Sequence, residues 1–207
     1  GEELDRAEAL GLLGVVLHPG SYTSGSEEDG LRLIAEALAA TLRARRRGRT
    51  MVLLEQTAGQ GTSLGYRFEH LATLLARLDG APRVGVCLDT CHLLAAGYDI
   101  STEDGYRDTF RRFGAIVGFD RLRVFHMNDS KKPCRSRVDR HEHIGQGCLG
   151  LEPFRRLVND RRFAKLPMLL ETPKTEWRGR NEVAVDPLDE MNLRTLRSLI
   201  KDRTSRT

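Results

Sequence analysis

Short apolar runs alternate with longer amphipathic ones along this chain, at intervals of about thirty to forty residues. Residues 2–13 are predicted helical, because Leu4, Ala7, Leu10 and Leu13 recur on one face. Residues 14–18 (GVVLH) read as a short buried strand ending on His18, after which Pro19-Gly20 turns the chain. Ser26 ahead of Glu27, Glu28 and Asp29 marks a helix start, with acids set against the positive end of the dipole. That helix runs through Leu31, Ile34, Leu38 and Leu42. A strand over residues 51–55 ends on Glu55, and a helix over 67–78 follows, burying Leu71, Leu74, Leu75 and Leu78 and leaving Glu69 and His70 as structural polar residues. In the third strand, 84–89, a period of two places Gly85, Cys87 and Asp89 on one side. His92 then opens a short helix. A helix over 101–117, a strand over 122–127 carrying His126, a helix over 152–163 and a strand over 166–171 complete the series. Trp177 is expected to pack rather than to stack on a base, and a last helix starts at Asp186.

One helix followed by five strand–helix units is the rhythm of a parallel α/β fold, with function at the strand C-termini. The five strands end on His18, Glu55, Asp89, His126 and Glu171, all metal-ligand types. Such convergence fits the open end of a (β/α)8 barrel better than the single crevice of a doubly wound sheet. Eight units take typically ~250 residues, whereas these 207 residues supply five. The expectation is a single domain over residues 1–207, the last five units of an N-terminally truncated TIM barrel.

Composition narrows the partners only a little. No apolar run approaches the ~20 residues of a membrane span, and no signal peptide is visible, so the expected setting is cytoplasmic with no membrane partner. Four cysteines do not make a disulfide scaffold, and Cys87 and Cys91, lacking a second pair, read as buried thiols. A net charge of +4 permits a nucleic-acid partner without demanding one. The basic run Arg43 to Arg49 reads as a dipole-complementing helix end on the face opposite the strand C-termini.

The chemistry concentrates in residues 124–147, VFHMNDSKKPCRSRVDRHEHIGQG. His126 stands at a strand end, and Asp139-x-His141 follows in a loop with Lys131, Lys132, Arg135, Arg137 and Arg140. Imidazole and carboxylate suit borderline divalent metals, and clustered cations beside them suit an anionic substrate such as a phosphate. Asp89-x-x-His92 adds a second ligand pair. The glycine-rich turn 56–62, with Gly59 and Gln60, is of a kind that brings backbone N–H groups to a phosphate.

The strings LHPGS, LEQTAGQGTSLG, VGVCLDTCHLLAAGYD, FHMNDSK, SRVDRHEHIGQG and LLETP, in unbroken order from Leu12 to Pro173, resemble the deoxyribonuclease IV (endonuclease IV) family of apurinic/apyrimidinic endonucleases. The resemblance implies a xylose-isomerase-like TIM barrel with three zinc ions (or manganese) at its mouth. It implies a monomer that, when full length, cleaves double-stranded DNA 5′ to abasic sites in base excision repair, by metal-activated hydroxide attack on phosphorus. Carried over, one metal takes Glu55, Asp89, His126 and Glu171, and a second takes His92, Asp139 and His141. A third shares Glu55 and uses His18, and in the family also a histidine from an earlier strand that has no counterpart here. Glu171 and Glu55 are the expected catalytic carboxylates, Glu171 orienting or deprotonating the attacking water. Arg140, Lys131, Lys132, Gly59 and Gln60 are the expected DNA contacts. Departures from the pattern are Gln56, Glu142-His143 and Gln146, and His143 is not taken as a ligand. Two alternatives stay open: a sugar isomerase or epimerase on the related barrel, using one Glu-Asp-His-Glu set, and a catalytically impaired metal-binding fragment.

Overall fold

The computed structural model describes residues 1–78, 81, 83–175 and 185–201; Trp177 lies outside them. Five parallel strands form one sheet in the order β1 (Gly14–Leu17), β2 (Met51–Gln56), β3 (Val84–Asp89), β4 (Leu122–His126) and β7 (Met168–Leu169). Between β4 and β7 a two-stranded antiparallel hairpin, β5 (Asp129–Ser130) and β6 (His141–Glu142), frames the basic loop. The helices are α1 (Glu2–Ala9), α2 (Glu27–Ala44), α3 (Phe68–Arg77), α4 (Thr90–Ala96), α5 (Glu103–Ile116), α6 (Glu152–Asn159) and α7 (Pro187–Ser198). This is five-eighths of the expected barrel topology, with β1 and β7 as the two sheet edges.

Strand alternation separates two apolar layers. Val52, Leu54, Val86, Leu88 and Phe125 face the helices and join the main core. Phe68 and Tyr98 stack there with centroids 3.9 Å apart, and Phe125 meets Phe163 edge-on at 4.9 Å. Leu53, Cys87 and Val124, with Val16 and Met51 against them, form a separate cluster on the opposite face. Continuing that inner face by two residues toward the strand C-termini gives Glu55, Asp89 and His126. In register, Asp89 pairs with His126, while Glu55 lies opposite Cys87, so the polar ends share one face in a staggered arrangement.

Capping sets the helix starts. Ser26 Oγ accepts the Asp29 N–H at 3.1 Å and Thr102 Oγ1 the Gly105 N–H at 3.1 Å. α1 is shorter than its periodicity suggests. Gly11 turns left-handed at φ 65° and ends it, leaving Leu10 (73%) and Leu13 (51%) exposed where burial was expected. The helix expected over 152–163 breaks at Asp160, where a short 3-10 turn, Arg161–Phe163, takes over. The last strand pairs only at Met168 and Leu169, so Glu171 stands just past its end. Among the described residues, no helix is long and apolar enough to cross a membrane.

Candidate metal centre

Glu55 anchors the layer at the strand ends, and it uses both of its oxygens. Oε1 lies 2.9 Å from His126 Nδ1, and Oε2 lies 3.1 Å from His18 Nε2. Glu171 reaches the same His126 Nδ1 at 3.0 Å, with Asp89 Oδ2 at 4.0 Å. One donor each from Glu55, Asp89, His126 and Glu171 thus falls within a 4.8 Å cluster. Each oxygen of this one carboxylate reaches a different imidazole, as a bridging ligand requires.

A second set forms beside it, and its imidazoles are aimed by backbone carbonyls. His92 Nδ1–H donates to the Gln56 carbonyl at 2.9 Å, and His141 Nδ1–H to the Glu171 carbonyl at 3.0 Å. Each bond fixes a tautomer and leaves Nε2 as a free donor, the usual device behind a ligating histidine. The two Nε2 atoms are 3.5 Å apart. Asp139 lies 3.1 Å from one and 3.3 Å from the other, and Asp89 Oδ2 lies 3.6 Å from His141 Nε2. Tetrahedral zinc with bonds of ~2.0–2.1 Å needs donors roughly 3.3–3.4 Å apart. The donor set therefore fits such an ion in type and spacing. Asp89 reaches both sets, because its Oδ1 accepts the His92 N–H at 3.0 Å as the N-cap of α4 and its Oδ2 faces the mouth. The Asp-x-x-His spacing is cap-to-third-residue spacing, which delivers both side chains to one place.

The third pair, His18 and Glu55, is completed by no further free donor among the described residues. His92 lies close to it, but its Nδ1 is committed to Gln56. His18 is half-exposed, following directly on β1.

Charge compensation dominates the electrostatics. Burial works against ionised Glu55, yet hydrogen bonds from His126 and His18 outweigh it and bring the carboxyl to about 2. Burial likewise opposes a charged His92, but Asp89, Asp139 and Glu55 raise it to about 10. His126 is raised too, its bonds to Cys87, Glu171 and Glu55 overcoming burial. Asp139 is lowered by its bond to His92, and Glu171 by its bond to His126. The clustered carboxylates demand positive charge, and protons and a divalent cation compete for the same donors. Cys87 lies within reach of Glu55 and His126, and Cys91 of Asp139 and His141. Burial pushes both thiols up to about 12, which keeps them protonated, as expected for buried thiols.

The expected DNA contacts lie on the adjoining loops. Lys131, Lys132 and Arg140 are exposed along the hairpin loop. Gly59 and Gln60 turn out to brace that loop: Gln60 Oε1 accepts the Asp139 N–H at 3.1 Å, and the Gly59 carbonyl accepts Arg137 Nε–H at 2.9 Å. His143 meets Asn192 at 3.0 Å, and His70 Nδ1 accepts the Gly65 N–H at 3.1 Å, so both are structural. Sequence reading missed Asn128. Fully buried, it donates to Asp89 and accepts from the Glu171 N–H; nothing in its spacing distinguishes it from a turn residue.

Residues 2–198 match the sequence model of a family described as a xylose isomerase-like TIM barrel. The chain is 52% identical over 200 residues to the probable endonuclease 4 of Chloroflexus aurantiacus, covering 97% of this chain and 67% of that protein. To the probable endonuclease 4 of Geobacter sulfurreducens it is 50% identical over 205 residues, covering 99% and 67%. The crystal structure of endonuclease IV from Thermus thermophilus superposes with a TM-score of 0.77 at 39% identity, over 96% of this chain and 65% of that one. The zinc-bound IolI protein, at 14% identity, a TM-score of 0.64 and coverage of 96% and 65%, shares the fold alone. The chain thus spans about two thirds of the length of these relatives. It belongs to the endonuclease IV family of xylose isomerase-like TIM barrels.

Proposed function

We propose that this protein is a zinc-dependent DNA-repair endonuclease that hydrolyses the phosphodiester 5′ to abasic sites in duplex DNA, with manganese as the alternative metal. The observation that carries the reading is the second donor set. His92, Asp139 and His141 stand beside Glu55, Asp89, His126 and Glu171, with Asp89 reaching both sets. A sugar isomerase on this barrel needs one Glu-Asp-His-Glu set and has no use for the other. A phosphodiester is anionic and a poor electrophile, so a multi-metal mouth suits it.

Zinc held there supplies Lewis acidity toward the phosphoryl group and makes water a nucleophile near neutral pH. The protein's own groups do the rest. Glu55 and Asp89 hold the two donor sets in fixed relation. Glu171, 48% exposed and lowered in pKa, is ionised at neutral pH and faces the opening, where it orients the attacking water and accepts its proton. No serine or cysteine nucleophile is needed, and the protonated thiols of Cys87 and Cys91 would serve poorly as one. Lys131, Lys132 and Arg140 contact backbone phosphates, while Gly59 and Gln60 serve the DNA by fixing the loop.

The test is incision of a duplex carrying one abasic analogue, using the protein produced from its complete coding sequence. Asp139→Ala and His141→Ala should abolish incision on the 5′ side and lower bound zinc by one ion, leaving the Glu55–Asp89–His126–Glu171 metal in place. Conversion of a ketose by the same preparation, insensitive to both substitutions, would overturn the reading in favour of an isomerase.

A further inference from the structure

The geometry points to a second anion site beside the metal centre: a groove built around Arg112 and Arg135 that holds a backbone phosphate of duplex DNA away from the bond to be cut. It rests on the nuclease reading for its ligand, but on separate residues for its chemistry.

The groove has a volume of about 530 Å³, with Tyr66, Arg67, Glu69, Tyr98, Arg112 and Arg135 on its walls. Its guanidiniums differ in their commitments. Arg67 is taken by Glu27 at 2.6 Å and by His70. Among the described residues, neither Arg112 nor Arg135 has an acidic partner within 4 Å or a side-chain hydrogen bond. Glu69, exposed on the wall, is one carboxylate against these two free forks. Arginine suits phosphate because its planar fork donates two parallel hydrogen bonds.

Both arginines are held in place without being neutralised. Arg112 sits over the Tyr98 ring, 5.1 Å from its centroid. Tyr98 is itself fixed, stacked on Phe68 and accepting the Phe68 N–H through its hydroxyl at 3.0 Å. Arg135 adopts φ 65° and Arg137 φ 52°, a left-handed backbone that side chains other than glycine rarely take. Their N–H groups donate to the carbonyls of Leu94 and Ala95 at 3.1 and 3.0 Å, so the strained loop is pinned to the last turn of α4. Gly97 completes the fit: it is left-handed at φ 101°, and a Cβ there would stand 3.0 Å from Arg135 Cγ. Backbone strain of this kind, kept here at two arginines of one loop, clusters at ligand clamps.

Position supplies the ligand. Arg135 and Asp139 lie on one loop, with Arg137 between them stacked at 4.3 Å on Tyr66. The groove therefore opens from the same loop that bears the second donor set. On the nuclease reading, a strand engaged at Asp139 therefore has Arg135 four residues away along the same loop.

Arg112→Gln and Arg135→Gln, singly and together, test this in the protein from the complete coding sequence. Binding to an unmodified duplex is followed by fluorescence anisotropy across a potassium chloride series. Each lost phosphate contact should flatten the plot of log K against log salt by about 0.9. The double variant should therefore flatten by about one to two and bind more weakly, with zinc content and melting temperature unchanged. Arg135→Lys should keep the slope, because it keeps the charge. Unaltered slope and affinity in the double variant would overturn the groove, even if incision is normal and the nuclease reading stands. A slope that responds in a protein that incises no abasic duplex would sink the nuclease reading and leave the groove in place.

Discussion

Asn128 donates its side-chain amide to Oδ2 of Asp89 at 2.6 Å. Its carbonyl oxygen accepts the Glu171 N–H at 2.8 Å, and its backbone N–H and carbonyl both bond to the hydroxyl of Thr90. One buried amide thus sets the rotation of one candidate ligand and the backbone position of another. Outer partners of this kind are worth roughly 10- to 100-fold in metal affinity. Asn128→Ala should weaken zinc binding by about that factor. Asn128→Asp should do more damage, because it sets a carboxylate against Asp89. Competition with a chromogenic chelator measures both, and wild-type affinity in Asn128→Ala would remove Asn128 from the centre.

Asp129 performs the matching task for the loop. Buried, it accepts the N–H groups of Ser130, Gly147 and Leu149 at 2.7, 3.0 and 2.8 Å, which closes the segment bearing Asp139 and His141. Each buried donor left unpaired costs about 1–3 kcal/mol. Asp129→Ala should therefore lower Tm by several degrees, at roughly 2–4 °C per kcal/mol for a domain of this size. Amide exchange at Gly147 and Leu149 should accelerate with it. Burial pushes the Asp129 pKa up, so it gains little from its charge, and Asp129→Asn should be milder. Equal Tm values for wild type and Asp129→Ala would show the clasp to be idle.

His70 gives a pH dependence of defined sign. Burial, helped by Arg67, holds its pKa below the usual value near ~6.5. As pH falls through that value the unfolded chain takes up a proton first, while the folded His70 stays neutral and keeps accepting the Gly65 N–H. Its contribution is complete above about 6.5 and is lost progressively below it, toward the lower folded pKa. Urea midpoints at pH 7.5 and 5.5 should therefore separate further in wild type than in His70→Gln. The same separation in both proteins would assign the effect elsewhere.

Much of this site is legible in the sequence because parallel strands bring their C-termini together. Glu55, Asp89 and His126 occupy inward-facing positions at the ends of neighbouring strands, so strand periodicity places them on one face. Asp89 and His92 are linked by capping spacing, which is equally local. Asp139 and His141 lie on a loop without periodicity, and the family resemblance, not residue pattern, singled out their partners. Asn128, Gln56 and Gln60 act through hydrogen bonds to distant segments, a relation with no local signature. Gly59 and Gln60 carry a second role that their glycine-rich turn does not announce: they also hold the ligand loop. The overlong first helix has a simpler cause, since four apolar residues in helical spacing do not outweigh a left-handed Gly11.

Metal removal tests the whole constellation without any nucleic acid. Glu55, Asp89, Asp139 and Glu171 converge beside four histidines, and a bound cation offsets their mutual repulsion. A ligand bound only by the folded state stabilises it by about 4 kcal/mol at a free concentration ~1,000 times its Kd. For a domain of this size that corresponds to a rise of roughly 8–16 °C in Tm per filled site. Chelated protein should therefore melt well below protein reloaded with zinc, and the rise should be smaller in acid, where protons hold the histidines. Asp139→Asn should show a reduced rise, because the His92–Asp139–His141 set loses its carboxylate while the Glu55 set remains intact. Manganese, with its preference for oxygen donors, should stabilise the carboxylate-rich Glu55 set better than the two-histidine set. A Tm that stays put when zinc is restored would show that these side chains form a hydrogen-bonded polar layer and hold no metal.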